Sequence, residues 1–285
     1  MDSFAGQLAI VTGGGSGMGR ELVRQLAAQG CSVATCDVNA DSIAGTAALA
    51  RDGTPPGTTV TSHVCDVSDE PQVLRFRDEV LQAHRSDHVD LVLSNAGIGG
   101  GGSFITEPRE VWERTFATDW WGVYYCARAF LPLLIKSTEG ILVNTSSVNG
   151  FWATLGPGMP HTAYSAAKFA VKGFSEALIE DLRTNAPHVR VAVVMPGHVG
   201  TDIIANSFRA HGMPAAEAEQ WNADFRDKAP LTAAAAATII LDRVRAGDWR
   251  VLVGEDAGRL DAVVRANPEA AYDHAALGKS LRDST

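Results

Sequence analysis

Short apolar runs alternate with segments of helical spacing along nearly the whole chain. Leu8–Val11, Cys31–Cys36, Val60–Cys65, Val89–Leu93, Gly140–Asn144, Val189–Val194 and Trp249–Val253 read as strands. Most are apolar on successive residues, the pattern of strands covered on both faces of a parallel sheet. Between them, apolar residues recur every three or four positions over Glu21–Ala28, Ser42–Arg51, Glu70–His84, Glu110–Leu134, Tyr164–Leu182 and Thr232–Arg245. These predict helices. Gly30 closes the first, while Gly122 and Pro132 interrupt the long fourth. The alternation predicts an α/β, doubly wound, mostly parallel seven-stranded sheet with helices on both faces, in a single domain over residues 1–285. Asp52–Thr58 is a surface turn. Thr201–Ala229, which holds Phe208, Trp221 and Phe225, reads as a long irregular loop and a lid, spanning about 198–229. A C-terminal extension begins at about residue 255.

Composition narrows the class. The chain has 285 residues, 46% hydrophobic and 20% charged, which suits one large globular domain. The formal net charge of -9, with no basic stripe, argues against nucleic acid as a partner. Met1–Gly6 lacks the features of a signal peptide and no apolar run is long enough to span a bilayer, so a cytoplasmic protein without a membrane partner is expected. Cys31, Cys36, Cys65 and Cys126 form no CxxC pair. A metal site or disulfide is one reading; reduced interior thiols, and no metal, is the preferred one.

The first strand runs into TGGGSGMGR, Thr12–Arg20. Glycines between a buried strand and a helix let the backbone approach a ligand, and the helix N-terminus offers free N–H groups and partial positive charge. That suits a pyrophosphate, although a glycine-rich turn alone is the plainer alternative. Asp37, ending the second strand, could accept hydrogen bonds from a ribose and would repel a 2′-phosphate. It favours NAD over NADP; the alternative is a loop-capping aspartate.

The spacing of Gly13, Gly17 and Gly19, a TGxxxGxG pattern, resembles the short-chain dehydrogenase/reductase family. Ser94–Gly97 (SNAG) resembles that family's NNAG block, Asp66-Val67 its adenine-contacting dipeptide, and Pro196–Thr201 (PGHVGT) its PGxxxT block. The likeness covers about Gln7–Val253. It implies a Rossmann-like fold with cofactor contacts from Gly13, Gly15, Ser16, Gly17, Met18 and Gly19. Further contacts are implied at Asp37, Val38, Asp66, Val67, Asn95, Ala96, Gly97, Pro196, Gly197, Val199 and Thr201, the last two orienting a carboxamide.

Tyr164 and Lys168 stand four apart in YSAAK, on one face of a helix. A free phenol holds its proton to about pH 10. A nearby ammonium favours the phenolate, so the pair could serve as acid and base on an alcohol or ketone oxygen. Ser146 and Ser147 end the preceding strand. The resemblance selects Ser147 as the hydroxyl that helps Tyr164 hold the substrate oxygen, and gives Lys168 contacts to the nicotinamide ribose. One position departs from the family: Asp119, in TDWWG, stands where an asparagine is usual. It keeps an accepting oxygen, adds charge near Lys168, and is kept as a candidate catalytic residue.

Between Ser147 and Tyr164 lies VNGFWATLGPGMPHTA, longer than is usual in the family. Its apolar residues could wall a substrate pocket or form a subunit contact. The pocket reading adds Trp152, Met159 and, from the later loop, Trp221 to Ser147 and Tyr164 as substrate contacts. It points to a bulky apolar or aromatic secondary alcohol or ketone. His161 reads as a surface residue rather than a catalytic helper. Trp120, Trp121, Tyr124 and Tyr125 suit helix packing or a dimer face better than cofactor stacking. A homodimer or homotetramer is expected. An NADPH-dependent carbonyl reductase and a catalytically silent dinucleotide sensor remain as alternatives.

Overall fold

The computed structural model describes residues 3–212 and 214–283. Its first third alternates β1 (Leu8–Thr12), α1 (Gly17–Ala28), β2 (Ser32–Asp37), α2 (Ala40–Arg51), β3 (Val60–Val64), α3 (Glu70–His84) and β4 (Leu91–Ser94). Then come α4 (Arg109–Phe116), a π-helical turn (Ala117–Trp121), α5 (Gly122–Leu134), β5 (Ile141–Thr145), α6 (Thr162–Asn185) and β6 (Arg190–Pro196). The last part holds β7 (Val199–Gly200), α7 (Ile203–Ala210), α8 (Ala215–Asp227), β8 (Leu231–Thr232), α9 (Ala233–Ala246), β9 (Arg250–Val253), α10 (Glu255–Ala266) and α11 (His274–Asp283).

Among the described residues, seven strands form one parallel sheet in the order β3-β2-β1-β4-β5-β6-β9. The apolar runs explain it. β1, β4 and β5 are buried at every position, so successive side chains feed two cores. Ala9 and Val11 pack towards α1 and α9 with Leu22, Leu26 and Ile240. Leu8 and Ile10 face the opposite layer with Phe76, Phe130 and Leu178 from α3, α5 and α6. Helix starts follow local chemistry: the Asn39 side chain accepts from Ser42 N, and the Asp69 side chain accepts from Gln72 N.

Two expectations need correction. The segment Thr201–Ala229 is not an irregular loop: α7 and α8 occupy most of it. The stretch reads as irregular because Gly212 and Pro214 break it in the middle and α8 carries few apolar residues. The long helix Glu110–Leu134 is not one regular helix either. The π-helical turn widens it at Ala117–Trp121, directly before α5 begins at Gly122, and α5 runs on through Pro132.

Beyond β9, α10 and α11 fold back as a small apolar cluster of Leu260, Val264, Ala271 and Leu277. Phe151 and Trp152, from the long segment before α6, pack into it. Trp152 Nε1 donates to Ala271 O at 2.8 Å, and Ala153 N donates to the Tyr272 hydroxyl at 3.1 Å. Arg250 on β9 donates to Asp261 on α10 at 2.9 Å, anchoring the extension to the sheet edge. All four cysteines are buried and unpaired. Among the described residues, no helix is long and apolar enough to cross a membrane, and no group of three or more His, Cys, Asp or Glu is placed to hold a metal.

Candidate active site

The chain direction of the crossovers reverses between β1 and β4, which places a crevice at the carboxyl ends of those neighbouring strands. The glycine stretch turns into α1 there. Gly17 adopts φ +51°, in the left-handed region, and a Cβ at Gly13 would come within 2.7 Å of Ala96 Cα. The Ser16 side chain makes no capping bond to α1, so the first-turn N–H groups face the crevice without a side-chain partner. Thr12 binds the two strand ends together: its hydroxyl accepts from Asn95 N and Ala96 N at 3.0 and 3.1 Å.

Gly13, Gly15, Ser16, Gly17, Met18 and Gly19 line a cleft of about 470 Å³ together with Asp37, Val38, Asp66, Val67, Asn95, Ala96 and Gly97. The expected contacts therefore share one surface. These residues fit a dinucleotide: a side chain at Gly13 or Gly19 would close the cradle, and the helix start supplies donors. Asp37 has a second task. Its carboxylate accepts from Gly15 N at 3.0 Å and from Asn39 N at 3.0 Å, so it braces the loop as well as facing the cleft.

A second, larger cavity of about 1280 Å³ joins the first through shared walls at Met18, Asn95, Gly97 and Thr201. Ser147, Tyr164 and Lys168 line it, as do Pro196, Gly197 and Val199. The start of α6 is seated on the segment after β4: Thr162 N and Ala163 N donate to Gly102 O and Gly101 O, each at 3.0 Å. Helical spacing then stacks Tyr164 and Lys168, with the ammonium 5.3 Å from the centre of the phenol ring. Ser147 is held by Asn149 N, which donates to its hydroxyl at 3.1 Å, and it lies near enough to Tyr164 to pull the phenol's pKa down.

Asp119 completes the group. It sits in the π-helical turn, fully buried, with Oδ1 3.2 Å from Lys168 Nζ. Ile98 N donates to the same oxygen at 3.2 Å, while Oδ2 is buried without a partner. Lys168 Nζ also donates to Thr145 O at 3.1 Å. Burial pushes the Asp119 carboxyl up to about 6, against the pull of Lys168. Burial pulls the Lys168 ammonium down, but Asp119 and Tyr164 outweigh it and the net direction is up.

Tyr164 corrects an expectation. Burial raises its phenol, Lys168 lowers it, Asp119 raises it, and the Ser147 hydroxyl lowers it. The net direction is up, chiefly because burial penalises the phenolate, with the Asp119 carboxylate offsetting part of the ammonium's field.

The substrate-side contacts divide. Trp152, Leu155, Phe208 and Phe225 line the larger cavity. Met159 and Trp221 do not line it; they are 51% and 65% exposed, carried outward by the tight turn before α6 and by the outer face of α8. His161 is not a surface residue: it lines the cavity and stacks on Tyr164, ring centres 4.6 Å apart and planes 18° from parallel. Composition gave no warning of the contacts made by α7. Asn206 Nδ2 donates to Ser16 Oγ at 2.9 Å, and Gly99 N donates to Ser207 Oγ at 2.7 Å, so α7 lies across both cavities. Leu260 and Leu281 of the extension wall the far side.

Known proteins agree with this architecture. The model of the short chain dehydrogenase family matches residues 7–212. A Mycobacterium tuberculosis protein named "Putative oxidoreductase SadH" is 37% identical over 267 residues, 93% of this chain and 92% of that one. A short chain dehydrogenase/reductase from Burkholderia phymatum, solved in complex with NAD, superposes with a TM-score of 0.82 at 28% identity, covering 95% of each chain. A metagenomic short-chain oxidoreductase solved with NADP gives 0.60 at 30% identity over 68% of this chain and 83% of that one. This chain belongs to the short-chain dehydrogenase family and is an oxidoreductase of that family.

Proposed function

We propose that the chain is an NAD-dependent dehydrogenase that moves a hydride between the nicotinamide and a secondary alcohol or ketone on a bulky apolar or aromatic body. The observation that carries this reading is the convergence of Ser147, Tyr164 and Lys168 on one cavity wall, where that cavity meets the glycine-lined cleft. A bound dinucleotide supplies the hydride acceptor or donor.

The residues of the chain do the rest. The glycine loop and the α1 N-terminus hold a pyrophosphate, and Asp37 receives ribose hydroxyls and repels a 2′-phosphate. Ser147 donates to the substrate oxygen and fixes its position. Tyr164 takes the proton from the alcohol, or returns it to the ketone oxygen. Lys168 favours the phenolate and reaches the nicotinamide ribose. Asp119 holds Lys168 in place from behind. Apolar walls from Trp152, Leu155, Phe208 and Phe225 select the substrate body and exclude water. The Trp120–Tyr125 cluster, with Trp121 partly exposed, is the face through which two copies would pair.

Side-by-side titration with NAD and NADP tests the cofactor assignment; tighter NADP binding would overturn it. A panel of secondary alcohols with NAD, from small aliphatic to steroid-sized, tests the substrate class. Turnover confined to the small members would defeat the bulky-substrate reading.

A further inference from the structure

We propose that His161 gives the substrate a second polar contact, a single N–H donor beside the reacting oxygen. The site would thereby select secondary alcohols and ketones that carry another oxygen on the neighbouring carbon: vicinal diols, α-hydroxy ketones and 1,2-diketones. This rests on the reading of the Ser147–Tyr164–Lys168 site given above.

His161 immediately precedes α6 and lines the larger cavity. Its stack against Tyr164 places the imidazole alongside the phenol, 4.6 Å between ring centres. Three residues apart at a helix start, the two rings share a face. A group held at the phenol oxygen therefore has the imidazole edge as its polar neighbour.

The tautomer follows from burial. His161 Nδ1 is buried and has no hydrogen-bond partner. A proton there would be an orphaned N–H, which folded proteins tolerate less well than an orphaned acceptor. The neutral form with its proton on Nε2 avoids that cost. Burial also pushes the ring's pKa down to about 4, so it stays uncharged around neutrality. The imidazole therefore offers one donor and no charge.

Other cavity histidines are already engaged. His198 Nε2 bonds Phe225 O at 2.7 Å, and His211 Nε2 bonds Gly99 O at 3.0 Å. Trp152, Leu155, Phe208, Phe225 and Leu260 give the substrate body apolar surroundings. Apolar walls barely distinguish a substrate by one hydroxyl, whereas a fixed donor that would be left unpaired does. With the reacting oxygen between Ser147 and Tyr164, the adjacent carbon is the nearest position from which an acceptor can reach His161.

The test compares kcat/KM for 1-phenylpropan-1-ol and 1-phenylpropane-1,2-diol with NAD, in the wild type, His161→Phe and His161→Gln. The wild type is expected to favour the diol by about tenfold or more, the worth of one neutral hydrogen bond. The preference should fall towards unity in His161→Phe and survive in part in His161→Gln, which keeps a donor. A wild-type ratio near one, or the same ratio in His161→Phe, overturns the proposal. Nitrogen-15 NMR of the wild-type imidazole provides a readout independent of turnover and of the variants' folding. The Nε2–H tautomer at pH 7, perturbed by the diol, is expected; an Nδ1–H tautomer or an imidazolium overturns the assignment. If neither alcohol is oxidised, the hydride-transfer reading falls, and the tautomer still decides the role of His161.

Discussion

Asp119 and Lys168 meet in the floor of the site at 3.2 Å, both buried, with the carboxylate's second oxygen left without a partner. The pair couples the π-helical turn to α6. It also sets two opposing charges behind Tyr164, so the phenol feels both.

Replacing Asp119 with Asn keeps an acceptor but removes the negative charge that raises Tyr164. The acid limb of the alcohol-oxidation rate profile should move to lower pH in Asp119→Asn. A pH–kcat/KM series checks it, and a limb that moves to higher pH would contradict the assignment. Asp119→Ala leaves Lys168 buried without its partner and should cost about 3–5 kcal/mol of stability, read by denaturant unfolding.

Tyr164→Phe keeps the ring and its stack on His161 while removing the proposed proton carrier. Turnover should fall by about 10²–10⁴-fold, the usual worth of a positioned acid or base. NAD binding, measured by titration, should change far less. Unchanged turnover would defeat the mechanism.

Gly97 lies against the ion pair. A Cβ there would overlap Asp119 Oδ1 and come 3.3 Å from Lys168 Nζ. Gly97→Ala should displace the carboxylate and lower kcat, with the sheet and its circular-dichroism spectrum retained.

Asp37→Ala removes the brace on Gly15 N and, on the proposed cofactor assignment, the repulsion of a 2′-phosphate. NAD affinity should fall by about tenfold or more, as losing a hydrogen bond to a charged group implies. The NADP/NAD affinity ratio should rise. Paired titrations measure both.

His84 and His161 are both pushed down to about 4, chiefly by burial. Their folded values lie below the unfolded one near 6.5, so the unfolded chain binds more protons between those limits. Their contribution is intact above pH 6.5 and is lost as pH falls towards 4. The melting temperature should drop across that window. A His84→Phe, His161→Phe double variant should show a shallower drop.

The strands were legible because a doubly covered strand must be apolar at successive positions, as Leu8–Val11 and Leu91–Leu93 are. That the glycine loop, Tyr164 and Lys168 would share one crevice was legible because their spacing survives in one dimension, while Ser147 rested on the family resemblance. Other features had no such trace. Trp152 reaches Ala271 across 119 positions, and nothing in either segment announces the partner. Trp221 looked like a pocket residue because it is large and apolar, yet α8 turns it outward. The His161–Tyr164 stack did leave a signal, the three-residue spacing at a helix start. It was outweighed by the expectation that a histidine in a loop faces solvent.

The π-helical turn bears on which length changes this gene could tolerate. A helix that holds one residue too many for its turn can lose it and become regular. Deleting a single codon within Ala117–Trp121 would let α4 run straight into α5 without a break. The two flanking helices would keep their facing, because the wide turn alone takes up the extra residue, but the residues inside the turn would move to regular helical positions. Asp119 or the aromatic cluster beside it would then swing off its partners. Here a deletion can improve the helix while dismantling the site, so the surplus residue belongs to the chemistry rather than to the fold.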